Sequence, residues 1–309
     1  MQTTVPLKKK IKENSALYRR GGVEIIIFAV AFIIFLLYAI SLLAPFYYLA
    51  INSFQGKNAY FTNLGEGGNA FKLPEVWHPE NYITALQGMS LMDSVGREIY
   101  LPEMIFNSLW YTVFSAGGGV IVSAFSGYAL AKYDFFGKNG IYAVIIFTLT
   151  VPIVGSSGAS FKLMSDINIY NSPLFLITAL CGYGTNFLVL YGFFKNLSWS
   201  FAEAVFIDGG GHFTAFFKVM LPQTQSAMLT LFIMAAIGSW NDYSTPLLYM
   251  PDFPTLASGL YRIQISFGRT GNVPAFFAGL IISVIPVVTL FSCCSGTIME
   301  NFTVGGLKG

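Results

Sequence analysis

The sequence predicts an all-α fold: a polytopic membrane protein with six transmembrane helices. First, 54% of the 309 residues are hydrophobic and only 10% are charged, with a mean hydropathy of +0.62, whereas a soluble domain carries about 25% charged residues. Second, six long stretches contain no Asp, Glu, Lys or Arg. The near balance of 17 basic and 15 acidic residues offers no basic face to nucleic acid. A cytosolic enzyme, a DNA-binding protein and a disordered regulator are therefore all disfavoured.

Each uncharged stretch exceeds the ~18 residues that indicate a transmembrane helix. The stretches cover residues 25–56, 104–131, 139–161, 167–194, 219–241 and 270–299, which together hold 164 residues. Trimmed of polar and proline-marked ends, they predict helices at roughly 25–50, 105–130, 141–160, 173–194, 225–248 and 276–298. Buried helices of one large soluble core are the alternative, which six such gaps in one chain disfavour.

The basic residues predict the orientation in the membrane. Residues 1–24 form a basic tail, and a cytoplasmic tail places eleven basic residues inside and six outside, in agreement with the positive-inside rule. A first helix at 25–51 then leads into an extracytoplasmic loop at 52–104, which carries three basic and six acidic residues. A core of five helices follows at 105–298, and residues 299–309 end in the cytoplasm. We expect a multi-pass protein of a bacterial-type plasma membrane, with no cleaved signal, because the first apolar run is too long for one.

Proline, glycine and aromatic residues predict local features of this arrangement. The loop at 52–104 reads as folded, since it combines aromatic residues with prolines that set turns. Within the spans, small residues and prolines predict breaks in the helices. The backbone N–H and C=O groups freed at such a break must find hydrogen-bond partners inside the protein or at a water-filled cavity. A broken bundle suggests a translocation path. The interrupting residues are Gly117, Gly118 and Gly119 in the second span, Pro152, Gly155 and Gly158 in the third, and Pro286 in the sixth.

No catalytic, metal or cofactor site is predicted for this chain. His78 and His212 are too few and too far apart for an imidazole-based metal site. Each Gly-Lys pair is followed by Asn, so the chain lacks a phosphate-binding Gly-Lys-Ser/Thr motif. The cysteines all fall inside predicted spans, where we interpret them as small apolar fillers; they are Cys181, Cys293 and Cys294.

Residues 198–222 combine features that connecting loops rarely share. Ser198 or Ser200 could cap a short helix that runs to Ile207, with Phe201, Ala204, Val205 and Phe206 offset from Glu203 and Asp208. Three glycines then break the helix, because they cannot hold it at reasonable cost. A second amphipathic run, 213–220, leads to Leu221-Pro222. We predict two short helices that lie across the membrane face with an acidic edge exposed, although a plain interfacial hairpin would also connect two spans.

These residues resemble the cytoplasmic signature of permeases in binding-protein-dependent ABC importers. That signature is Glu-Ala-Ala, three residues, Gly, nine residues, Ile, one residue and Leu-Pro. At the same spacings this sequence has Glu203-Ala204-Val205, Gly209, Val219 and Leu221-Pro222. The two departures, Val205 and Val219, are small apolar replacements. The resemblance implies the type I ABC importer fold.

Further residues resemble the carbohydrate group of these permeases, which contains the maltose and multiple-sugar systems. The similar segments are Ile207-Asp208-Gly209, Trp240-Asn241-Asp242-Tyr243 with Pro246-Leu247, and the terminal Gly305-Gly306-Leu307-Lys308-Gly309. The last segment is similar to the end of the second permease subunit of that group. The resemblance covers residues from about 106 to the C-terminus. Because the similar segments are those of the carbohydrate group, the resemblance implies the import of a sugar or oligosaccharide.

The resemblance also implies a division of labour between subunits. A permease of this kind binds no cofactor itself, and ATP is used by a separate dimer of ATP-binding subunits. A second permease completes the path, and an extracytoplasmic solute-binding protein delivers the sugar. Membrane lipid surrounds the spans, and we expect no nucleic-acid partner. Glu203 and Asp208 would offer carboxylates to basic groups on the ATPase, beside Ala204. Gly209 would allow the turn, and Leu221-Pro222 would set where the coupling helix meets the fifth span.

Two questions remain open at this point: what Asp242 and its neighbours do, and what kind of transport the chain serves. Asp242 ends an uncharged window, and an acid near membrane depth is a candidate functional group. Asn241 and Asp242 could bind sugar hydroxyls with Trp240 or Tyr243 stacking on a pyranose, or they could cap a helix or contact the partner permease. The solute could also be something other than a sugar, or the chain could be an ion-coupled secondary transporter, which the scarcity of buried carboxylates disfavours. The sequence does not rank one sugar above another.

Overall fold

Helices form in all six uncharged stretches, but only three of the stretches hold a continuous helix long and apolar enough to cross a bilayer in the described residues. A computed structural model describes residues 22–65, 67–151, 155–180, 184–267 and 271–304. Within these ranges the fold is helical, and it includes one two-stranded antiparallel hairpin in which Leu91 pairs with Ile99. The all-α prediction is therefore confirmed apart from this small hairpin.

Thirteen α-helices are numbered here in chain order over the described residues. The long or apolar ones are α1 (Gly22–Ser53), α4 (Leu101–Lys132), α5 (Lys138–Thr150), α7 (Thr185–Asn196), α10 (Gln225–Asn241) and α13 (Val273–Val304). The others are α2 (Lys57–Leu64), α3 (Glu80–Gly88), α6 (Ser157–Asp166), α8 (Ser200–Ile207), α9 (His212–Gln223), α11 (Ser244–Tyr249) and α12 (Leu256–Phe267). Strands β1 (Ser90–Met92) and β2 (Glu98–Tyr100) precede α4, and a 3₁₀ helix, Pro173–Leu180, precedes α7.

In the described part of the chain, three helices are long and apolar enough to cross a bilayer by themselves. They are Glu24–Ser53 within α1, all of α4, and Val273–Gly296 within α13. Two bent pairs raise the number to as many as five: the 3₁₀ helix with α7, at 42°, and α9 with α10, at 71°. Six spans stay a prediction, because the predicted third span consists of α5, only 13 residues long, and the separate α6. The cytoplasmic position of both termini also stays a prediction.

The predicted breaks had different outcomes. Gly155 has a positive φ of 82° and lies between α5 and α6, as expected of a break, while Pro152 lies outside the described residues. The prediction for the second span was wrong, because α4 continues without interruption through Gly117, Gly118 and Gly119. A Cβ on Gly118 would lie 2.8 Å from the Leu180 side chain. Close packing against the 3₁₀ helix thus offsets the roughly 1 kcal/mol that each helical glycine costs.

Other sequence features fall on helices that stay intact. Pro286 lies inside α13, which continues on both sides of it, so this proline does not end the span. Cys293 is exposed and Cys294 is half-buried on the same helix, while Cys181 and the terminal 305–309 segment lie outside the described residues. No group of three potential metal ligands occurs in the described part of the chain.

The segment between α1 and α4 is folded, as its aromatic and proline content predicts. The buried Asn81 side chain donates hydrogen bonds to the backbone oxygens of Ser53, at 2.8 Å, and Gln55, at 2.9 Å. These bonds hold α3 against the end of α1. The ring of Phe54 packs on Trp77 and on Tyr82, with centroids 5.2 Å away in each case. These partly exposed rings pack on one another and help to hold the segment together.

Two buried clusters define the ends of the helical bundle. One joins α3, the hairpin and the start of α4 to α12 and α13, around Leu101, Met104 and Leu256. The other joins the far end of α4 to α7, α8 and α9, around Phe194 and Met220. Because α4 contributes to both clusters, it connects the two ends of the protein.

Gly127 sets how closely α4 and α7 approach each other. A Cβ built on Gly127 would lie 3.1 Å from the backbone nitrogen of Tyr191, and backbone cannot move aside as a flexible side chain can. We expect Gly127→Val to lower the free energy of unfolding by about 1–3 kcal/mol, the usual cost of overpacking. Heating the detergent-solubilised protein and measuring the fraction that stays monodisperse tests this. Gly192→Ala on α7 is the control, since a Cβ there meets nothing within 4 Å; equal stability of both variants would contradict the prediction.

Candidate functional site

The glycine turn, Gly209 to Gly211, ends α8 with a defined hydrogen-bond pattern. The N–H of Gly210 donates to Val205 O at 2.8 Å, and the N–H of Gly209 donates to Phe206 O at 3.1 Å. Gly209 has a φ of +79°, the left-handed conformation that glycine adopts without a Cβ penalty. This is a Schellman motif, which satisfies carbonyls at the helix end and reverses the chain. The spacing between Glu203 and Gly209 therefore places the glycine where the helix must stop.

The start of α8 differs slightly from the prediction. Neither serine takes the capping position, which Trp199 occupies without a side-chain bond. The backbone N–H of Ser200 instead donates to Ser198 Oγ at 3.3 Å. The prediction that one of these serines caps α8 is therefore wrong, although Ser198 accepts this one bond at the start of the helix.

Small and aromatic side chains anchor α8 and α9 to the bundle. Ala202 on α8 and Ala215 on α9 are fully buried, and Phe216 is nearly so. The ring of Phe216 lies 4.7 Å from that of Tyr128 on α4. The predicted apolar face is only partly correct, because Phe201 and Ala204 are exposed and Ala202 is the buried anchor instead. Helical spacing places Ala202, rather than its neighbours, on the face of α8 that packs against the bundle.

The opposite surface of the 198–222 segment is exposed and mixed in character. Glu203 and Asp208 are exposed, and neither makes an ion pair with another described residue. Beside them, Ile207 and Phe213 expose 85% and 78% of their surface on either side of the glycine turn. Large apolar side chains left so exposed at a loop tip mark a candidate contact surface. Sequence reasoning did not single out Ile207 or Phe213 for this surface, although Ile207 lies within the Ile-Asp-Gly run.

Leu221 and Pro222 lie where α9 turns into α10. The two helices meet at 71°, and Thr224 at the junction donates from its hydroxyl to Leu221 O at 2.9 Å. Pro222 is exposed and stands in the first turn after a π-helical stretch, Ala215–Met220. Both residues line an apolar groove of about 510 Å³ with Gly117 of α4. The Leu-Pro pair therefore lies at the bend between α9 and α10 and forms part of the wall of the groove beside α4.

Asp242 holds the turn between α10 and α11. Its Oδ1 accepts hydrogen bonds from the backbone N–H groups of Ser244 and Thr245, both at 3.0 Å. Its Oδ2 accepts the hydroxyl of Tyr111 on α4 at 3.1 Å. The carboxylate thus caps the first turn of α11 and ties it to α4. Tyr111 was missed by sequence reasoning, because it lies 131 residues away in the chain.

The three neighbours of Asp242 have different surroundings. Trp240 is buried, and its Nε1 donates to Ser283 O at 3.0 Å, three residues before Pro286. Asn241 and Tyr243 are exposed. Asn241 bonds only to the backbone of its own helix among the described contacts, and Tyr243 lies with its ring 4.7 Å from that of Tyr261. Of the four predicted path residues, Asn241 and Tyr243 are therefore the exposed ones.

A second carboxylate, Asp252, joins three separate loops, and sequence reasoning did not identify it. Its side chain accepts the backbone N–H of Ser94 at 2.8 Å and the amide of Asn171 at 2.6 Å. Its own N–H donates to Asn171 Oδ1 at 3.0 Å. Arg262 adds a hydrogen bond to Pro251 O at 2.8 Å. These bonds connect the β1–β2 turn, the loop after α6 and the loop after α11.

We expect this loop junction to depend on the charge of Asp252. Burial raises the pKa of the Asp252 carboxyl, but the hydrogen bonds from Ser94 and Asn171 outweigh burial and hold that pKa below its ordinary value of 3.8. Because the folded state has the lower pKa, the carboxylate stabilises the fold above about pH 4 and loses this contribution as pH falls through the folded-state pKa.

Asp252→Asn should therefore lower heat stability at pH 7, and the difference from the unchanged protein should shrink below about pH 4. The measurement is the midpoint of thermal unfolding of solubilised protein between pH 3 and pH 7. Asp134→Asn serves as the control, because the Asp134 side chain is 98% exposed in its pair with Lys138. A constant difference across the whole pH range would refute the role of the charge.

Comparison with known proteins identifies a family and several similar proteins. Residues 119–294 match the family described as binding-protein-dependent transport system inner membrane component. The probable ABC transporter permease protein YurM of Bacillus subtilis is 24% identical, with 88% of this chain and 86% of that protein covered. The diacetylchitobiose uptake system permease protein NgcG of Streptomyces coelicolor is 25% identical, with 91% and 89% covered.

A solved structure shows the same fold. One chain of a bacterial ABC transporter involved in the import of the acidic polysaccharide alginate has a TM-score of 0.71 at 21% identity. The match covers 90% of this chain and 98% of that one. The family match includes both the 198–222 segment and the 240–243 turn, and it confirms the resemblance found in the sequence. The chain belongs to the family of inner membrane components of binding-protein-dependent transport systems, which are transport permeases rather than enzymes.

Proposed function

We propose that this chain is a membrane-spanning permease subunit of an ATP-driven importer for a sugar or oligosaccharide. It forms the translocation path with a second permease in a bacterial plasma membrane, with six spans and both termini in the cytoplasm. An extracytoplasmic solute-binding protein delivers the solute, and a separate ATPase dimer uses the ATP. The observation that carries this proposal is the Schellman turn at Gly209, which presents the 198–222 segment as an exposed, firmly anchored projection.

The surface of that projection suits a protein partner. Ile207 and Phe213 would enter an apolar groove on the ATPase, while Glu203 and Asp208 would pair with basic groups at its rim. Exposed ion pairs are worth only about 0–1 kcal/mol each, so the two apolar side chains should supply most of the affinity. The carboxylates then fix the orientation of the segment in the groove.

The choice of a sugar is supported by the names of similar proteins. Besides the diacetylchitobiose permease, the arabinooligosaccharides transport system permease protein AraQ of Halalkalibacterium halodurans is 28% identical, with 66% of this chain and 73% of that protein covered. Along the path, Asn241 and Tyr243 are the residues we propose to face solute or the second permease. Trp240 and Asp242 would act indirectly, because their polar groups already bind Ser283 and Tyr111.

Purification of the intact complex tests the proposal. Solubilised from its native cells, this chain should retain an ATP-binding subunit. Glu203→Lys should weaken that retention, because it reverses the charge facing the ATPase. Lys138→Glu, on the loop side of α5 and paired with Asp134, is a charge-reversal control that should leave retention unchanged. Full uptake in a strain without the ATPase would overturn the proposal in favour of an ion-coupled carrier. A separate measurement, the binding of sugars to the cognate solute-binding protein, would identify the solute.

A further inference from the structure

Tyr133 and His212 join the end of α4 to the start of α9. The Tyr133 hydroxyl and the His212 Nδ1 lie 2.9 Å apart, a hydrogen-bond distance, and their ring centroids are 5.4 Å apart. Tyr133 directly follows the last residue of α4, and His212 is the first residue of α9. The two residues are 79 positions apart in sequence, so the tertiary fold alone creates this contact.

The same tyrosine also contacts the other helix of the 198–222 segment. Its ring centroid lies 5.8 Å from that of Trp199, which precedes α8. Phe206 on α8 in turn packs against His212 with centroids 4.9 Å apart. Next to Tyr133, the Lys132 Nζ donates a hydrogen bond to Leu197 O. Both short helices therefore converge on the final turn of α4 through rings and polar contacts, whereas their outer surface is left to a partner.

At its other end, α4 holds the loops on the opposite side of the protein. Asn107 Nδ2 donates to Pro254 O at 3.1 Å, Ser108 Oγ accepts the N–H of Leu256 at 2.7 Å, and Tyr111 binds Asp242. A helix rises about 1.5 Å per residue, so the uninterrupted stretch from Tyr111 to the end of α4 spans roughly 30 Å. One continuous helix thus connects the last turn of α4 with Tyr111, which binds Asp242.

We propose that the Tyr133–His212 hydrogen bond is a positioning contact that, together with the ring packing around it, lets a displacement of the 198–222 segment move α4. The inference rests on the proposed function, since it needs an ATPase that displaces the segment. Tyr133 and His212 touch neither ATP nor solute; they transmit motion. Loss of the hydrogen bond should leave the complex assembled and able to hydrolyse ATP, but with less solute moved for each ATP.

The test uses the complete purified importer reconstituted in vesicles, with uptake and ATP hydrolysis measured on the same sample. Tyr133→Phe and His212→Phe keep the aromatic rings but remove the polar partners. Each should lower the ratio of uptake to ATP hydrolysis roughly two- to tenfold, the effect of one net hydrogen bond. The double variant should be no worse than either single variant, because residues that form one contact are not additive. His212→Asn, whose amide lies near the position of Nδ1, should restore much of the ratio.

Control variants separate a transmitting role from a structural one. Tyr142→Phe on α5, whose ring packs on Tyr191 with centroids 4.9 Å apart, should leave the ratio unchanged. An unchanged ratio in both Tyr133→Phe and His212→Phe, with or without a lower yield of complex, would overturn the inference. So would strictly additive losses in the double variant. If the ATPase fails to co-purify with the unchanged protein, the proposed function itself is wrong, and that outcome is seen before any variant is measured.

Discussion

Gly209→Val is expected to lower ATP-driven uptake strongly while the protein still inserts into the membrane. Gly209 has a φ of +79°, and a β-branched residue is a steric outlier in that region. An L-residue there costs about 1–2 kcal/mol before β-branching is counted. The chain would relieve this strain by reopening the turn, which moves Ile207 and Phe213 away from their places beside it. We expect uptake to fall about tenfold or more, measured with labelled solute in intact cells.

The other two glycines of the turn provide matched controls. A Cβ on Gly210 would lie 2.5 Å from a Val205 side-chain carbon and 3.0 Å from Val205 O, so Gly210→Ala should cause an intermediate loss. Gly211 has an extended backbone with φ −92°, and a Cβ on it meets nothing within 4 Å. Gly211→Ala should therefore transport normally. Equal losses at Gly209 and Gly211 would mean that flexibility, rather than the left-handed turn, is what the segment needs.

Asp242→Ala is expected to destabilise the protein and to lower transport mainly through that instability. The change removes the cap of α11, worth about 0.5–2 kcal/mol, and leaves the buried hydroxyl of Tyr111 without its acceptor, at about 1–3 kcal/mol. Together we expect a loss of about 1.5–5 kcal/mol in the free energy of unfolding. Fluorescence-detected size exclusion after heating measures the loss.

Kinetics distinguish this structural role from direct binding of solute. If Asp242 acts only through the turn, the Asp242→Ala protein that remains folded should keep a nearly normal KM. Asn241→Ala should give the reverse pattern, with normal heat stability and a raised KM, since its side chain is exposed and bonds only within its own helix. Tyr111→Phe should reproduce only part of the Asp242 defect, because the capping bonds to Ser244 and Thr245 remain. A raised KM with unchanged stability in Asp242→Ala would instead place the carboxylate on the solute.

Predictions from single residues succeeded where the deciding interaction was local. The helix stop at Gly209 follows from the backbone freedom of glycine and the distance from Glu203, so spacing in the chain was enough to find it. The reading of Gly117, Gly118 and Gly119 as a break failed for the opposite reason. Their conformation depends on how closely the 3₁₀ helix Pro173–Leu180 approaches α4, and that approach is set by residues far away in sequence.

The sequence by itself determined that this is a membrane protein with long uncharged helices and an exposed projection between two of them. It did so because the cost of placing a charge in a bilayer, and the steric limits on a turn, act residue by residue. Only the tertiary structure decided what the polar residues do. Asp242 meets Tyr111, Asp252 meets Ser94 and Asn171, and Tyr133 meets His212 across long separations. Which partner lies near a polar group depends on helix packing rather than on any local pattern, and a group that is buried must have one.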